Sequence, residues 1–296
     1  MMNLTVKTKF LNFFRQLFFF RPLENMLVSL NQGGETSSLF SKLVPNHYQY
    51  QNGTVRKVKR GDINYKLDLS DIVDWYIYYG FKDPVRPVLF SYVNPGDVII
   101  DIGANMGETS FNFSKLVGTE GRVIGFEPDK DNYRRLTDNL KLNNFTNLSP
   151  INKGIGNVPG SFLIKMNEIE PGNAGSKRII GSSEADSPDE MIVEIIRLDD
   201  YLKDNELAKL DMIKMDIEGY EFNAIQGAKE TIKKYRPKMF LEMQDIKLKE
   251  QGSSGKLLVK ELQSLGYKVM NAESGKVLQP NSIADGDYFD IVCLYE

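Results

Sequence analysis

Cysteine and histidine are almost missing from this chain: Cys293 and His47 are its only representatives. A single thiol excludes an intramolecular disulfide and any zinc site built from several cysteines, and it fits a reducing compartment, so the cytoplasm is the expected location. A single imidazole excludes a multi-histidine metal centre, and it excludes a Ser-His-Asp triad unless His47 itself enters the site. An excess of positive charge is lacking too. Lys+Arg 37 against Asp+Glu 40 leaves a net charge of −3, so no global field gathers phosphates and nucleic acid is not the expected partner. No apolar run is long enough to cross a bilayer. The Phe-rich stretch from Phe10 to Phe20 follows Lys7 and Lys9, is interrupted by Arg15 and has no small-residue cleavage site after it, so it reads neither as a transmembrane span nor as a signal peptide.

What is present is an ordinary folded composition, 41% hydrophobic and 26% charged over 296 residues, enough for one α/β core with an N-terminal extension. The extension is taken as residues 1–54 and the main domain as 55–296, with a hairpin and helix in 55–96 and the core in 97–296. Phe10, Phe13, Phe14, Leu17 and Phe18 recur at helical spacing, which predicts an amphipathic helix covering the core or a partner copy, with contact to a membrane interface as the other reading. After a Gly/Ser-rich break at Gly33–Ser38, the alternation from Val55 to Leu69 predicts a hairpin turning at Arg60-Gly61-Asp62, with the basic run Arg56-Lys57-Val58-Lys59-Arg60 on its wet face. Asp71 to Tyr79 reads as a helix capped by Ser70 and stopped by Gly80.

From Asp97 the pattern changes to short apolar runs: Val98–Ile100, Val123–Phe126, Met212–Met215, Met239–Leu241, Tyr267–Met270 and Phe289–Leu294. Helical stretches separate them at Gly107–Val117, Asp129–Leu142, Glu221–Lys234 and Gly255–Leu265. That alternation predicts a doubly wound, mostly parallel sheet covered by helices. Residues 164–189 break the rhythm with Pro171–Ser176 and Gly181–Ser183, and read as an irregular insert over the substrate.

The most specific local signal is Asp97-Val98-Ile99-Ile100-Asp101-Ile102-Gly103-Ala104-Asn105-Met106-Gly107, a strand ending in an acid and a glycine turn that opens a helix. Ligands of open α/β sheets bind beyond the carboxyl ends of the strands, where glycines let backbone and ligand come together. A dinucleotide fingerprint would need glycines where Asn105 and Glu108 stand, which disfavours a nicotinamide oxidoreductase. Asp101 instead offers negative charge to a cationic ligand such as S-adenosylmethionine, which carries a sulfonium and an ammonium. The next strand ends in Phe126-Glu127-Pro128, and Glu127 lies 24 residues beyond Gly103, suited to accept the hydroxyls of a ribose.

These two runs, with Lys214-Met215-Asp216-Ile217-Glu218-Gly219-Tyr220-Glu221, resemble the motifs of the FkbM family of S-adenosylmethionine-dependent methyltransferases, in order and spacing from about Val55 to Asp245. The resemblance implies a seven-stranded, Rossmann-like methyltransferase sheet and O-methylation of a hydroxyl on a small molecule or sugar. It also implies a cofactor loop of Asp101, Gly103, Asn105 and Gly107, with Glu127 and Pro128 at the ribose. Asn173, Gly175 and Ser176 resemble a family loop near the acceptor. Where FkbM-like sequences often carry a histidine two residues after the acid of the following strand, this chain has Gln244.

If strand geometry persists past Met215, then Lys214, Asp216 and Glu218 share one face. Methyl transfer needs alignment and a proton acceptor for the alcohol, and Asp216 or Glu218 is the candidate. Lys214 is read as structural, since pairing with these acids raises rather than lowers its proton affinity. Glu221 serves either the positive end of the next helix or the site. A site without metal is favoured; the alternative is Mg²⁺ held by Asp216 and Glu242 at adjacent strand tips. The competing reading from another class is a non-catalytic cofactor-binding or scaffold protein of the same fold, and a homo-oligomer fits either.

Overall fold

The computed structural model describes residues 5–166, 177–181 and 190–296, which fall into two units that part between Asp83 and Pro84. In the first, helix α1 (Val6–Arg15) continues through a 3-10 turn (Gln16–Phe19) into α2 (Arg21–Asn31), whose first turn carries Pro22, the position where proline's missing N–H is harmless. The expected hairpin forms from β1 (Val55–Arg60) and β2 (Ile63–Asp68), turning at Gly61 and Asp62. Helix α3 (Ile72–Tyr79) stops at Gly80 as expected but is capped by Asp71 rather than Ser70. The Asp71 carboxylate accepts from the amides of Val73 and Asp74 at 2.9 and 3.1 Å, while the Ser70 hydroxyl donates to Asp68.

The basic run of β1 is only half wet. Lys57 and Lys59 are exposed, but Arg60 donates to the carbonyls of Ile77 and Tyr78 at the end of α3. Arg56 reaches the fully buried Glu24 of α2 at 2.8 and 3.2 Å. Glu24 also accepts from Arg21 at 2.8 Å and from the Tyr78 hydroxyl at 2.6 Å, so one carboxylate ties α2, β1 and α3 together.

The second unit is built on a seven-stranded sheet. Its members are β3 (Val98–Ile102), β4 (Arg122–Phe126), β5 (Leu148–Ile151), β10 (Met212–Met215), β11 (Lys238–Gln244), β12 (Tyr267–Asn271) and β13 (Tyr288–Tyr295), in the order β12-β13-β11-β10-β3-β4-β5. β13 runs antiparallel to both neighbours and the other pairings are parallel. The helices are α4 (Arg86–Ser91), α5 (Glu108–Val117), α6 (Lys130–Leu140), α7 (Leu198–Asp204), α8 (Glu221–Gln226), α9 (Lys229–Tyr235), α10 (Asp245–Glu250) and α11 (Gly255–Ser264). The doubly wound sheet expected from the apolar runs is therefore present. Ile99, Ile100, Ile213 and Met215 on its two middle strands are fully buried, each such side chain contributing roughly 1.5–3 kcal/mol. Because β4 lies on one side of β3 and β10 on the other, the winding reverses between β3 and β10, which is where open α/β sheets hold ligands.

Three features differ from the sequence reading. Strand β5 went unseen because it is four residues long and contains Pro150, as edge strands often do. The expected helix Glu221–Lys234 is broken at Gly227-Ala228. There the Gly156 carbonyl approaches so closely that a Cβ on Gly227 would sit 1.9 Å from it, and the Asp199 carboxylate restarts the helix by accepting from the amides of Glu230 and Thr231. The segment read as an irregular insert carries β7 (Gly160–Met166) and β8 (Lys177–Gly181), which join β6 (Gly154–Ile155) and β9 (Glu190–Ile196) in a sheet of order β6-β9-β7-β8. Its inner side chains are Ile164, Val193 and Ile195, whose alternation the turn-rich residues between them obscured. Asn173, Gly175 and Ser176 lie outside the described residues.

Replacing Glu24 by alanine removes the shared acceptor of Arg56 and Tyr78. It should cost about 3 kcal/mol of stability, read as a lowered midpoint in chemical denaturation; an unchanged midpoint would show that the carboxylate does not tie the three elements.

Candidate active site

The carboxyl ends of β3, β4, β10 and β11 lie along one edge of the sheet: Asp101 and Glu242 stand in the last residues of β3 and β11, and Gly103, Asn105, Gly107, Glu127, Pro128, Asp216 and Glu218 in the turns that follow β3, β4 and β10. After β3, the chain turns through Gly103 and Gly107 into α5. Both glycines have positive φ, +84° and +99°, and the structure assigns each a packing role. A Cβ on Gly103 would lie 2.0 Å from the Asp216 carbonyl, and one on Gly107 would lie 2.7 Å from the Phe111 ring. Gly103 is thus small because the turn after β10 presses on it, whereas the sequence reading had the glycines making room for ligand.

Asp101 is fully buried. One of its oxygens accepts from the Ser110 hydroxyl of α5 at 2.6 Å, and the other lies 3.4 Å from the Lys214 ammonium. Lys214 sits opposite Asp101 in the β3–β10 register; its ammonium donates to the Gly103 carbonyl at 3.2 Å and lies 3.6 Å from Asp216. Burial works against that charge, but the carboxylates of Asp101 and Asp216 outweigh it and hold the proton more tightly than on a free lysine. Arg86 of α4 flanks the same turn, paired with Glu108 at 3.0 Å and donating to the Thr109 hydroxyl.

Glu127 follows the last residue of β4 and points back across the edge. One carboxylate oxygen accepts from the amide of Asn105 at 2.8 Å and the other from the amide of Asp129 at 2.9 Å. Asn152 donates to the carbonyls of Glu127 and Pro128, which fixes the backbone beneath the side chain. Asn105 itself has φ +49°, tolerable for asparagine, and its side-chain oxygen is buried without a hydrogen-bond partner. A buried amide oxygen in that condition is an acceptor awaiting a donor.

Beyond β10 the structure departs from an extended strand. β10 ends at Met215, and Glu218 turns to φ +59°, so Lys214, Asp216 and Glu218 do not continue one alternating face. The Asp216 side chain is exposed, whereas the Glu218 carboxylate is bound to the Lys247 ammonium of α10. Glu221 is buried and accepts from the amides of Ile217 and Gly219 at 2.9 and 3.3 Å, so it holds this turn in shape. Burial, reinforced by the charge of Asp216, pushes its carboxyl up to about 7 despite those amides. Glu242 of β11 accepts from the Tyr288 hydroxyl at 2.9 Å. Burial first, then the charges of Asp216, Glu218 and Glu221, push its carboxyl well above the ordinary range. The turn after β10 and the end of β11 therefore carry four carboxyls, Asp216, Glu218, Glu221 and Glu242, and the last two have raised proton affinity. Among the described residues no group of three or more His, Cys, Asp or Glu side chains is placed to hold a metal ion.

Ser110, Arg86, Lys247 and Tyr288 enter this region without having been singled out from the sequence. Ser110 stands in the first turns of a helix that the pattern did predict, but nothing in its spacing names Asp101 as its partner. The other three arrive from distant segments.

Sheet order, the acid-and-glycine turn after β3 and the acid at the end of β4 define a Rossmann-like domain of the methyltransferase kind. The family model of the FkbM methyltransferase domain matches residues 101–269, well over half of the chain, and the chain belongs to that family. It is similar to the hexuronic acid methyltransferase AglP of Haloferax volcanii, 26% identical over 148 residues that cover 50% of this chain and 56% of that protein. It is similar also to the 2-O-methyltransferase NoeI of Sinorhizobium fredii, 30% identical over 164 residues covering 51% and 65%. A solved FkbM methyltransferase from Methylobacillus flagellatus is similar at 16% identity and a TM-score of 0.41, over 74% of this chain and 52% of that one. The matches thus span less than two thirds of these relatives' lengths.

The raised carboxyl of Glu221 has a stability consequence. Its folded value, about 7, stands above the 4.5 of a free glutamate, so the native state keeps a proton that the unfolded chain releases. Stability from this group is complete below about 4.5 and is lost as pH rises to 7, on the order of 3 kcal/mol in all. Glu221→Gln should remove that slope from denaturation midpoints measured across the interval; an undiminished slope would place its origin elsewhere.

Proposed function

We propose that this protein transfers the methyl group of S-adenosylmethionine to a hydroxyl of a sugar or other small molecule. The observation that carries the reading is the bridge from the Asn105 amide to the Glu127 carboxylate, which joins the tips of β3 and β4 into one cradle beside the acidic turn after β10. The residues fit the cofactor: Glu127, oriented by two backbone amides, suits the ribose hydroxyls, and the unpartnered oxygen of Asn105 suits a donor on the ligand. Asp101, through Lys214 and Ser110, fixes the turn of Gly103 and Gly107, while Pro128 continues the Glu127 tip.

Bound there, S-adenosylmethionine supplies a methyl group on a positively charged sulfur. The chain's own part is to align the acceptor oxygen behind that methyl and to take its proton. Asp216 is the candidate base, because its carboxylate is exposed at the strand tip. The Glu218 carboxylate, engaged by Lys247, is suited to hold the acceptor or to share the proton. With the methyl donor bound, the Asp216 carboxylate would take the acceptor hydroxyl's proton as the methyl moves from sulfur to that oxygen. The names of the relatives, a hexuronic acid methyltransferase and a 2-O-methyltransferase, support a sugar hydroxyl as acceptor, and Asp216 with Glu218 offers the acceptors that sugar hydroxyls bind through.

Calorimetric titration should show binding of S-adenosylmethionine and S-adenosylhomocysteine and none of NADH. Glu127→Ala should weaken that binding at least about tenfold, the equivalent of one good charged hydrogen bond. Asp101→Ala should weaken it as well, by loosening the turn. Asp216→Asn should keep binding within about threefold and cut transfer of a labelled methyl to hexuronic acid glycosides at least about a hundredfold. NADH binding alone would defeat the assignment, and an Asp216→Asn variant that turns over normally would remove Asp216 from the chemistry.

A further inference from the structure

Helix α1 is mounted with its polarity reversed. A surface helix of a soluble protein turns its apolar stripe inward, yet here Arg15 is the buried side chain, with Asn12 and Leu11 half-buried beside it. Arg15 is buried, donating to the Lys42 carbonyl at 2.9 Å and to the Asn12 side chain at 2.8 Å. Asn12 in turn donates to the Tyr48 hydroxyl, and Gln49 donates to the Asn12 carbonyl. The apolar side chains face solvent: Phe10 is 65% exposed, Phe13 68%, Leu17 63% and Phe20 65%, with Val6 and Phe14 beside them. Phe14 packs edge-on against Phe10 and Phe13, with ring centroids 4.9 and 5.7 Å apart, so the exposed rings form one continuous ridge.

Charge frames the ridge. At about 3.6 residues per turn, Val6, Phe10, Phe13, Phe14 and Leu17 form a stripe, with Lys7 on one flank and Lys9 on the other. Both lysines are exposed. Arg21 follows at the end of the ridge, its side chain half exposed, and no acidic residue precedes Glu24, which is itself buried. An apolar stripe flanked by cations and free of carboxylates is complementary to a lipid surface with anionic headgroups, the rings entering the acyl boundary and the ammonium groups staying among the phosphates. A second copy fits less well, because a two-fold contact sets the same patch against itself and offers its lysines no carboxylate, since the ridge carries none. No helix among the described residues is long and apolar enough to cross a membrane, so the contact lies in the plane of the surface. We infer that the α1 ridge from Val6 to Phe20 docks this protein onto an anionic lipid bilayer.

The test is flotation of the full chain with vesicles of phosphatidylcholine alone and with about a third phosphatidylglycerol. Wild type should float with the anionic vesicles, at least about tenfold more than with the neutral ones, and added salt should reduce the difference. The triple variant Phe10→Ser, Phe13→Ser, Leu17→Ser changes only exposed side chains and should melt as wild type does while losing flotation on both. The double variant Lys7→Gln, Lys9→Gln should lose the preference for anionic vesicles. Absence of flotation, flotation unaffected by either variant, or equal flotation on both vesicle types would overturn the inference. So would a dimer in sedimentation equilibrium that the serine variant dissociates, accompanied by no vesicle binding; in that event the ridge is a contact between copies.

Discussion

The Lys214 ammonium, buried among the Asp101 carboxylate, the Gly103 carbonyl and Asp216, is the contact on which the arrangement of the sheet edge depends. β3 and β10 are far apart in sequence and meet only because the winding of the sheet reverses between them. A lone buried ammonium or carboxylate at that junction would be expensive. Together, and with the Ser110 hydroxyl completing the set, they hold the two turns in contact so closely that residue 103 has no room for a side chain. The cradle formed by Asn105 and Glu127 is built outward from this fixed point.

Two carboxyls of the same edge hold their protons unusually tightly. Toward β4, Glu127 is oriented by the backbone amides of Asn105 and Asp129. Toward β11, Glu221 and Glu242 lose solvent and face the charge of neighbouring acids, Asp216 at Glu221 and Asp216, Glu218 and Glu221 at Glu242, which favours protonation. Asp216 lies between, exposed and near a buried cation. Burial lets Glu221 and Glu242 keep a proton more readily than a free glutamate, which lessens the repulsion among the acids packed there.

The N-terminal unit follows another logic. Its interior is an apolar core of Leu27, Val44, Ile63, Leu67 and Leu69 crossed by a shared carboxylate, Glu24, and by paired hydroxyls, Tyr50 and Tyr79 at 2.6 Å, while the phenylalanines that dominate its first helix stay outside it. Those rings are left outside because Asn12 and Arg15 occupy the inward face. Periodicity alone located the stripe but gave it no direction, since a helix with one apolar and one polar side can be mounted either way round.

Six of the seven strands of the sheet, and the turn at the end of β3, were legible in local pattern alone. Strand-acid-glycine-helix at Asp101–Gly107, an acid closing the next strand at Glu127 and the apolar run of β10 are local patterns, and their spacing along the chain suffices to order them. The hairpin turn at Gly61-Asp62 and the stop at Gly80 were legible too, because steric freedom is a property of single residues. What each polar group faces was settled by folding: that Arg56 and Arg60 leave the wet side of β1, that Glu218 turns toward Lys247 and away from the face of Lys214, that Glu221 shapes a turn, and that Gly160–Met166, Lys177–Gly181 and Glu190–Ile196 pair as strands. These outcomes depend on partners brought from distant segments and on solvent being removed around them, and neither is encoded in the spacing of nearby residues.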